Sequence, residues 1–256
     1  LDTTLNRYKC FGCGKGGDVI QFVMESQGYD FTEAVRYLLD MYCRDADVHD
    51  LFEKNTPEDD EQRRLMETMY IYNKYAYEFY RAQYDDTGDE SVMCRNYAEE
   101  HITSNGAKEG RWNAEYCKTI GLGYSPRTGN KFLAYAQSKG LKLDILLKMG
   151  LIGESDTRPG EYYDFYRGRL MIPQRDRYGR IVTFTARAIS GQASSKYLNG
   201  KDCLIYSKSK SIFGIDVALK VARQTGKIYL VEGAPDVMRL QSLGIANVVA
   251  SLGGVW

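Results

Sequence analysis

The chain has 256 residues, 43% of them hydrophobic and 12% aromatic, with 34 Lys and Arg balanced by 34 Asp and Glu. That composition supplies apolar material for one or two cored domains and excludes a disordered chain. The longest apolar runs are short stretches such as Ile228 to Val231, far below the roughly 20 residues of a membrane span, and no signal-peptide pattern opens the sequence; a soluble, cytoplasmic protein with no membrane partner is expected.

The first residue is Leu1 and the last six, Ser251 to Trp256, read as a strand running into a turn, so a segment cut at both ends is expected. A short strand at Tyr8-Lys9 leads into Cys10-Phe11-Gly12-Cys13-Gly14-Lys15-Gly16-Gly17. The Cys-x-x-Cys spacing lets two thiolates grip one ion, and the glycines let the backbone fold around sulfur, so the pattern is half of a tetrahedral zinc site. A redox pair and two inert core cysteines are the other readings. His49 and His101 are poorly placed to complete such a site, which puts the missing ligands upstream of Leu1. Cys43, Cys94, Cys117 and Cys203 are scattered and read as buried small hydrophobes. Asp18 is a good helix N-cap, Val19, Ile20 and Val23 then recur at helical spacing, and Gly28 separates them from a second helix through Phe31, Ala34, Val35 and Leu38.

Residues 44–60 are acidic, contain Pro57 and read as a linker. From Glu61 to about Tyr84 a Tyr-rich amphipathic helix is predicted, and shorter helical patterns continue to Met149, broken near Asn105-Gly106 and Ser125-Pro126. The charge then reverses. Arg44 to Glu100 holds sixteen acidic against seven basic residues, whereas Arg158 to Lys210 holds eleven basic against four acidic, a net +7 that suits a polyanion. Within the basic stretch, Tyr166 to Pro173 and Arg180 to Ile189 are strand-like and joined by the turn sequence Asp176-Arg177-Tyr178-Gly179. Period-two alternation places Val182, Phe184, Ala186 and Ala188 on one face, and Thr183, Thr185 and Arg187 on the other. Arg167 and Arg169 likewise share a face. The expectation is one apolar face toward a core and one Arg-bearing face toward an outside ligand.

Lys227 to Val231, a helix from Pro235 to Gly244 and Asn247 to Leu252 predict a βαβ unit with buried parallel strands. Glu232 ends the first of them, where α/β sheets place ligands, and a carboxylate there can act as a base or hold a divalent metal. Asp236 reads as a first-turn helix residue favoured by the macrodipole.

In combination these blocks resemble the bacterial DnaG-type primases. Tyr8 to Ile20 resembles the second half of their zinc ribbon, Gly121-Leu122-Gly123-Tyr124-Ser125-Pro126 a helical segment, and Tyr166 to Pro173 with Gly179 to Val182 and Arg187 the start of the RNA-polymerising domain. Lys196-Tyr197-Leu198-Asn199, Tyr206-Ser207-Lys208 and Val231 to Val237 resemble later blocks, the last being the toprim glutamate motif. The resemblance implies an α+β multi-domain fold: a partial zinc ribbon with two helices at 1–43, the linker at 44–60, the helical and β N-terminal part of a catalytic core at 61–225, and the start of a toprim domain at 226–256. It implies Cys10 and Cys13 as zinc ligands, and Glu232 as a catalytic carboxylate on Mg2+ or Mn2+. Arg167, Arg169, Arg187, Lys196, Asn199 and Lys208 become the residues that hold nucleic acid or nucleotide. The implied partners are a single-stranded DNA template, nucleoside triphosphates and a replicative helicase reached through a missing C-terminal region, and the implied activity is synthesis of RNA primers. Ala234-Pro235 and Ser209 depart from the family pattern, and no Asp-x-Asp pair follows Glu232 here, so an incomplete metal site is expected. The rival readings are a toprim recombination mediator and a non-catalytic zinc-ribbon module of a phage or mobile element.

Overall fold

The structure is a computed structural model that describes residues 7–12, 14–42, 57–102, 104, 108–189 and 195–252. The N-terminal segment opens with a hairpin of β1 (Tyr8–Lys9) and β2 (Gly16–Gly17). Gly16 is required there, because a Cβ would fall 2.7 Å from the Tyr8 carbonyl oxygen. Asp18 caps α1 (Val19–Gln27) by accepting from the Gln21 amide at 2.8 Å, and Gly28, with φ 70°, ends it as predicted. A capping box opens α2 (Phe31–Tyr42): Asp30 accepts from the Glu33 amide at 2.7 Å and Glu33 accepts from the Asp30 amide at 2.9 Å.

The long Tyr-rich helix, α3, spans Pro57–Asp85. It begins four residues before the predicted Glu61, since proline at a helix's first position loses no hydrogen bond. The expected linker is shortened accordingly, and its residues 44–56 lie outside the described part. There follow α4 (Asp89–Ala98), β3 (His101–Ile102), β4 (Lys108–Glu109), α5 (Ala114–Ile120), β5 (Gly123–Ser125), α6 (Lys131–Ser138), α7 (Leu143–Met149), β6 (Ile152–Glu154), β7 (Tyr162–Asp164), β8 (Arg169–Arg175), β9 (Ile181–Ala188) and β10 (Tyr197–Asn199). The last unit holds β11 (Ile212–Phe213), α8 (Ile215–Thr225), β12 (Tyr229–Val231), α9 (Ala234–Ser242) and β13 (Val248–Ser251).

The central element is an antiparallel sheet in the order β10-β9-β8-β5. Its edge strand β5 comes from the glycine-containing stretch that reads in the sequence as a break between helices. The predicted hairpin is present, with Met171 opposite Ala186 and Leu170 opposite Arg187. Met171, Phe184 and Ala186 enter one core with Tyr72, Ala76, Phe79 and Tyr80 of α3, Phe132 of α6 and Leu146 of α7. The opposite face is not left to solvent. Leu170, Ile172 and Tyr124 enter a second core with Cys94, Trp112 and Cys117 and with Val237, Met238 and Val248 of the last unit. Thr183, Thr185 and Arg187 are therefore only 4%, 3% and 8% exposed. The alternation was read correctly, but the face assigned to the outside is covered by a second layer that period-two spacing does not report.

The βαβ unit forms as predicted, with β12 and β13 parallel; β11, from before residue 226, joins them on the far side of β13. The expectation that β12 is buried does not hold. It is an edge strand with Tyr229 and Leu230 each 52% exposed. Among the described residues no helix is long and apolar enough to cross a membrane.

The joint of α3 with β5 is tight, since a Cβ on Gly123 would meet the Tyr80 Cβ at 2.7 Å and the Tyr80 carbonyl carbon at 3.1 Å. The Gly123→Ala change is expected to destabilise the chain by about 1–3 kcal/mol through overpacking, read as a lower midpoint of urea unfolding at unchanged slope.

Candidate nucleic-acid interface

At the N-terminal knuckle the chain turns tightly after β1: the Gly14 amide donates to the Cys10 carbonyl at 2.9 Å and the Cys10 amide to the Lys15 carbonyl at 2.7 Å. Gly14 takes a φ of 75°, which favours glycine. Cys10 is exposed on this turn, a setting that suits a thiolate ligand; Cys13 lies outside the described residues. Phe11, between them, is 92% exposed and Lys9 reaches over its ring.

The predicted basic residues divide. Arg167 lies just before β8, exposed, donates to the Asn130 side-chain oxygen at 2.7 Å and rests over Tyr163. Arg169 is 6% exposed and donates to the Ala186 carbonyl at 3.4 Å and the Ser195 carbonyl at 2.9 Å. Burial pulls its guanidinium below the ordinary arginine pKa, partly offset by Tyr166. Arg187 donates to the Tyr97 and Tyr197 hydroxyls and lies over both rings, 5.4 and 4.9 Å from their centroids. Arg169 and Arg187 sit on opposite faces of the sheet, since Arg169 pairs with Ala188 and Arg187 with Leu170. Among the described residues neither is ion-paired to a carboxylate.

The residues around Arg187 form the densest part of the site. Lys196 is exposed beside it, its carbonyl accepting from the Ala188 amide at 3.0 Å, and Asn199 accepts from the Thr185 hydroxyl at 2.8 Å on the same strand, β10. Arg111, which the sequence reading missed, lies over the other ring partner, 4.5 Å from the Tyr97 centroid. Tyr97 thus carries two guanidiniums, each a favourable cation–π contact. The interleaving of Lys196 with Tyr197 was a signal for this cluster, but Tyr97 sits in the acidic part of the sequence and nothing local marked it. Lys208 is not in the cluster. It is exposed on a turn held by Asp202, which accepts from the Lys208 amide at 2.9 Å.

Glu232 is exposed at the carboxyl end of β12, next to the Gly233 that precedes α9, and belongs to the other sheet. Arg239 of α9 ties this unit back to the core by pairing with Glu100 at 2.6 Å and donating to the Arg111 carbonyl at 3.0 Å. The same unit therefore touches the backbone that carries the basic cluster. Among the described residues no three His, Cys, Asp or Glu side chains are grouped to hold a metal.

Residues 2–54 match the CHC2 zinc finger family and residues 97–219 match the family described as the DNA primase catalytic core, N-terminal domain. A DNA primase of Pseudomonas putida is 31% identical over 246 residues, 96% of this chain. The chain belongs to the DnaG-type primase family. It spans about a third of the length of the curated relatives it matches, 35% in the Pseudomonas putida case. Among solved primases, the zinc-binding and RNA polymerase domains from Aquifex aeolicus share 28% identity, cover 98% of this chain and 55% of that one, and give a TM-score of 0.61. The RNA polymerase domain of Mycobacterium tuberculosis primase, solved with a double-stranded DNA oligomer bearing a 6-nucleotide overhang, shares 27% identity, covers 74% of this chain and 56% of that one, and gives 0.63. The zinc-finger match gives zinc as a cofactor of the N-terminal segment.

The cysteines of this primase-family chain separate by burial. Cys94 and Cys117 are fully buried, and burial raises both thiols, Cys117 to about 12. At pH 8 only on the order of one Cys117 in ten thousand is then thiolate. In chelator-treated native protein, alkylation at pH 8 should modify Cys10 and leave Cys94 and Cys117 unreacted until denaturant is added, as peptide mass spectrometry would record.

Proposed function

We propose that this chain acts in primer synthesis, holding a single-stranded DNA template and nucleoside triphosphates while the 3′-hydroxyl of one nucleotide attacks the α-phosphate of the next and pyrophosphate leaves. The observation that carries this reading is the Arg111–Tyr97–Arg187–Tyr197 cluster with Lys196 and Asn199 beside it, its arginines held by ring faces and hydroxyls, in a segment matching the primase catalytic core. The DNA-bound state of the Mycobacterium tuberculosis relative supports a DNA partner. Ring faces and guanidiniums suit a flexible strand: rings stack on bases and cations neutralise phosphates. The order of the two matches, ribbon before core, speaks against a recombination mediator.

In this reading Arg187 is a positioning residue. Its charge is fixed between Tyr97 and Tyr197, so the field it sets up needs no reorganisation when a phosphate arrives. Arg169, held by two carbonyls beside Ser195, orients the approach to β10 from the opposite face. Arg167, Lys196 and Lys208 are the exposed contacts to phosphate. The last unit is assigned to a toprim domain on the parallel pairing of β12 and β13 and the placement of Glu232 at the carboxyl end of β12. A Mg2+ or Mn2+ ion shared by Glu232 would neutralise the charge that develops on the transferred phosphate. Cys10 and Cys13 supply two thiolates to the zinc site of a ribbon that helps select template. A replicative helicase is the proposed partner, and the cytoplasm the proposed place of action.

In the full-length enzyme, Glu232→Gln should reduce primer synthesis by about 100-fold or more while single-strand affinity stays at the wild-type level; full activity in the variant would remove Glu232 from the mechanism. Neutralising Lys196 or Lys208 to Ala should each lower the slope of log K against log salt for single-stranded DNA by about 0.7, measured by fluorescence anisotropy across a salt series, and an unchanged slope would place that lysine outside the interface.

A further inference from the structure

Glu33 of α2 is 6% exposed. Arg177, in the turn between β8 and β9, donates to one carboxylate oxygen at 2.9 Å; Arg223, on α8, donates to the other at 2.6 Å. The oxygen facing Arg223 also accepts from the Asp30 amide at 2.9 Å. Beside it, Tyr29 meets Tyr178 edge-on at 5.9 Å and lies 5.9 Å from the Arg223 guanidinium. Gly28 completes the seat, since a Cβ there would already touch the Arg223 side chain at 3.4 Å.

Apolar burial contributes little to this junction. Val19, Phe22 and Phe31 remain 54%, 51% and 59% exposed, and among the described residues no element of 7–42 packs extensively on an element of the core. Arg177 and Arg223 are partly exposed at this junction, and the charges that separate when it opens are stabilised by counterions, so docking through charge weakens as salt rises whereas docking through apolar area does not.

We propose that residues 7–42 are held to the core chiefly by a carboxylate–diarginine seat, Glu33 between Arg177 and Arg223, and that this seat opens reversibly as ionic strength rises. The seat lies at the turn end of the β8–β9 hairpin. Arg187 is six residues up β9 from Ile181, roughly 20 Å away at strand rise. Opening therefore releases the N-terminal segment without dismantling the basic cluster, and the inference stands whether or not that cluster binds DNA.

Small-angle X-ray scattering of the whole chain tests this. A compact chain of 256 residues has a radius of gyration of about 18 Å. The wild type should show its smallest radius at about 0.05 M salt and expand by several ångström toward about 1 M, with its far-ultraviolet circular dichroism unchanged. Arg177→Ala and Arg223→Ala leave the Asp30–Glu33 capping box intact and should each be expanded already at low salt. Arg158→Ala, which breaks an exposed pair with Glu161, should behave as wild type. A wild-type radius constant across the salt series, or Arg223→Ala as compact as wild type at low salt, would overturn the proposal.

Discussion

The four-stranded sheet β10-β9-β8-β5 is covered on both faces, and the rest of the structure follows from that. A sheet with one wet face would alternate buried and exposed side chains. Here β9 is buried at six consecutive positions, Val182 to Arg187, because α3, α6 and α7 close one side while Trp112, Cys117 and the last βαβ unit close the other. Every polar side chain on these strands must then find its partner inside. Gln174 donates to Thr185, Thr185 to Asn199, and the Ser125 hydroxyl to the Tyr166 carbonyl at 2.6 Å. Such a network fixes the register of the sheet, since a slip of one residue would exchange these groups with Met171, Phe184 and Ala186.

The same closure sets the electrostatics of the site. A buried guanidinium loses hydration, and the usual remedy is a carboxylate. Arg169 and Arg187 receive carbonyl oxygens, hydroxyls and ring faces instead, all of which orient the charge without cancelling it. In the proposed reading, neutral partners in a poorly hydrated setting leave a field for an arriving phosphate, and Arg111, over the same Tyr97 ring as Arg187, adds to it. The N-terminal segment is joined in the opposite way. Its Glu33 is fully matched by two arginines, so the charge at that junction is consumed locally and is not available to a ligand. On the proposed reading arginine serves two ends in one chain, field-making where its described partners are neutral and attachment where they are acidic.

The elements were legible where a local rule governs them. Asp18 and Gly28 bound α1 because capping is a property of a few adjacent residues, and the β8–β9 hairpin and the closing βαβ unit follow from period two and period 3.6. The short strand β5 was not legible, since three residues carry too little periodicity and its glycine signals a break; Gly123 is there because α3 crosses it closely. The exposure of β12 was equally hidden, as an apolar run looks the same in the middle of a sheet and at its edge.

By itself the sequence determined the Cys-x-x-Cys knuckle, the order of the blocks, the net positive stretch from Arg158 to Lys210 and the position of Glu232 after a strand, all of which are set by neighbours along the chain. Only the tertiary structure decided which of those cations act together. It buried Arg169 and Arg187 on opposite faces of one sheet, brought Tyr97 and Arg111 from the helical region onto Arg187, set Lys208 apart on its own turn, and placed Arg177 and Arg223 around Glu33. The reason is that charge density can be counted along a chain, whereas the partners that neutralise, orient or expose each charge are distant in sequence and are chosen by how the layers pack.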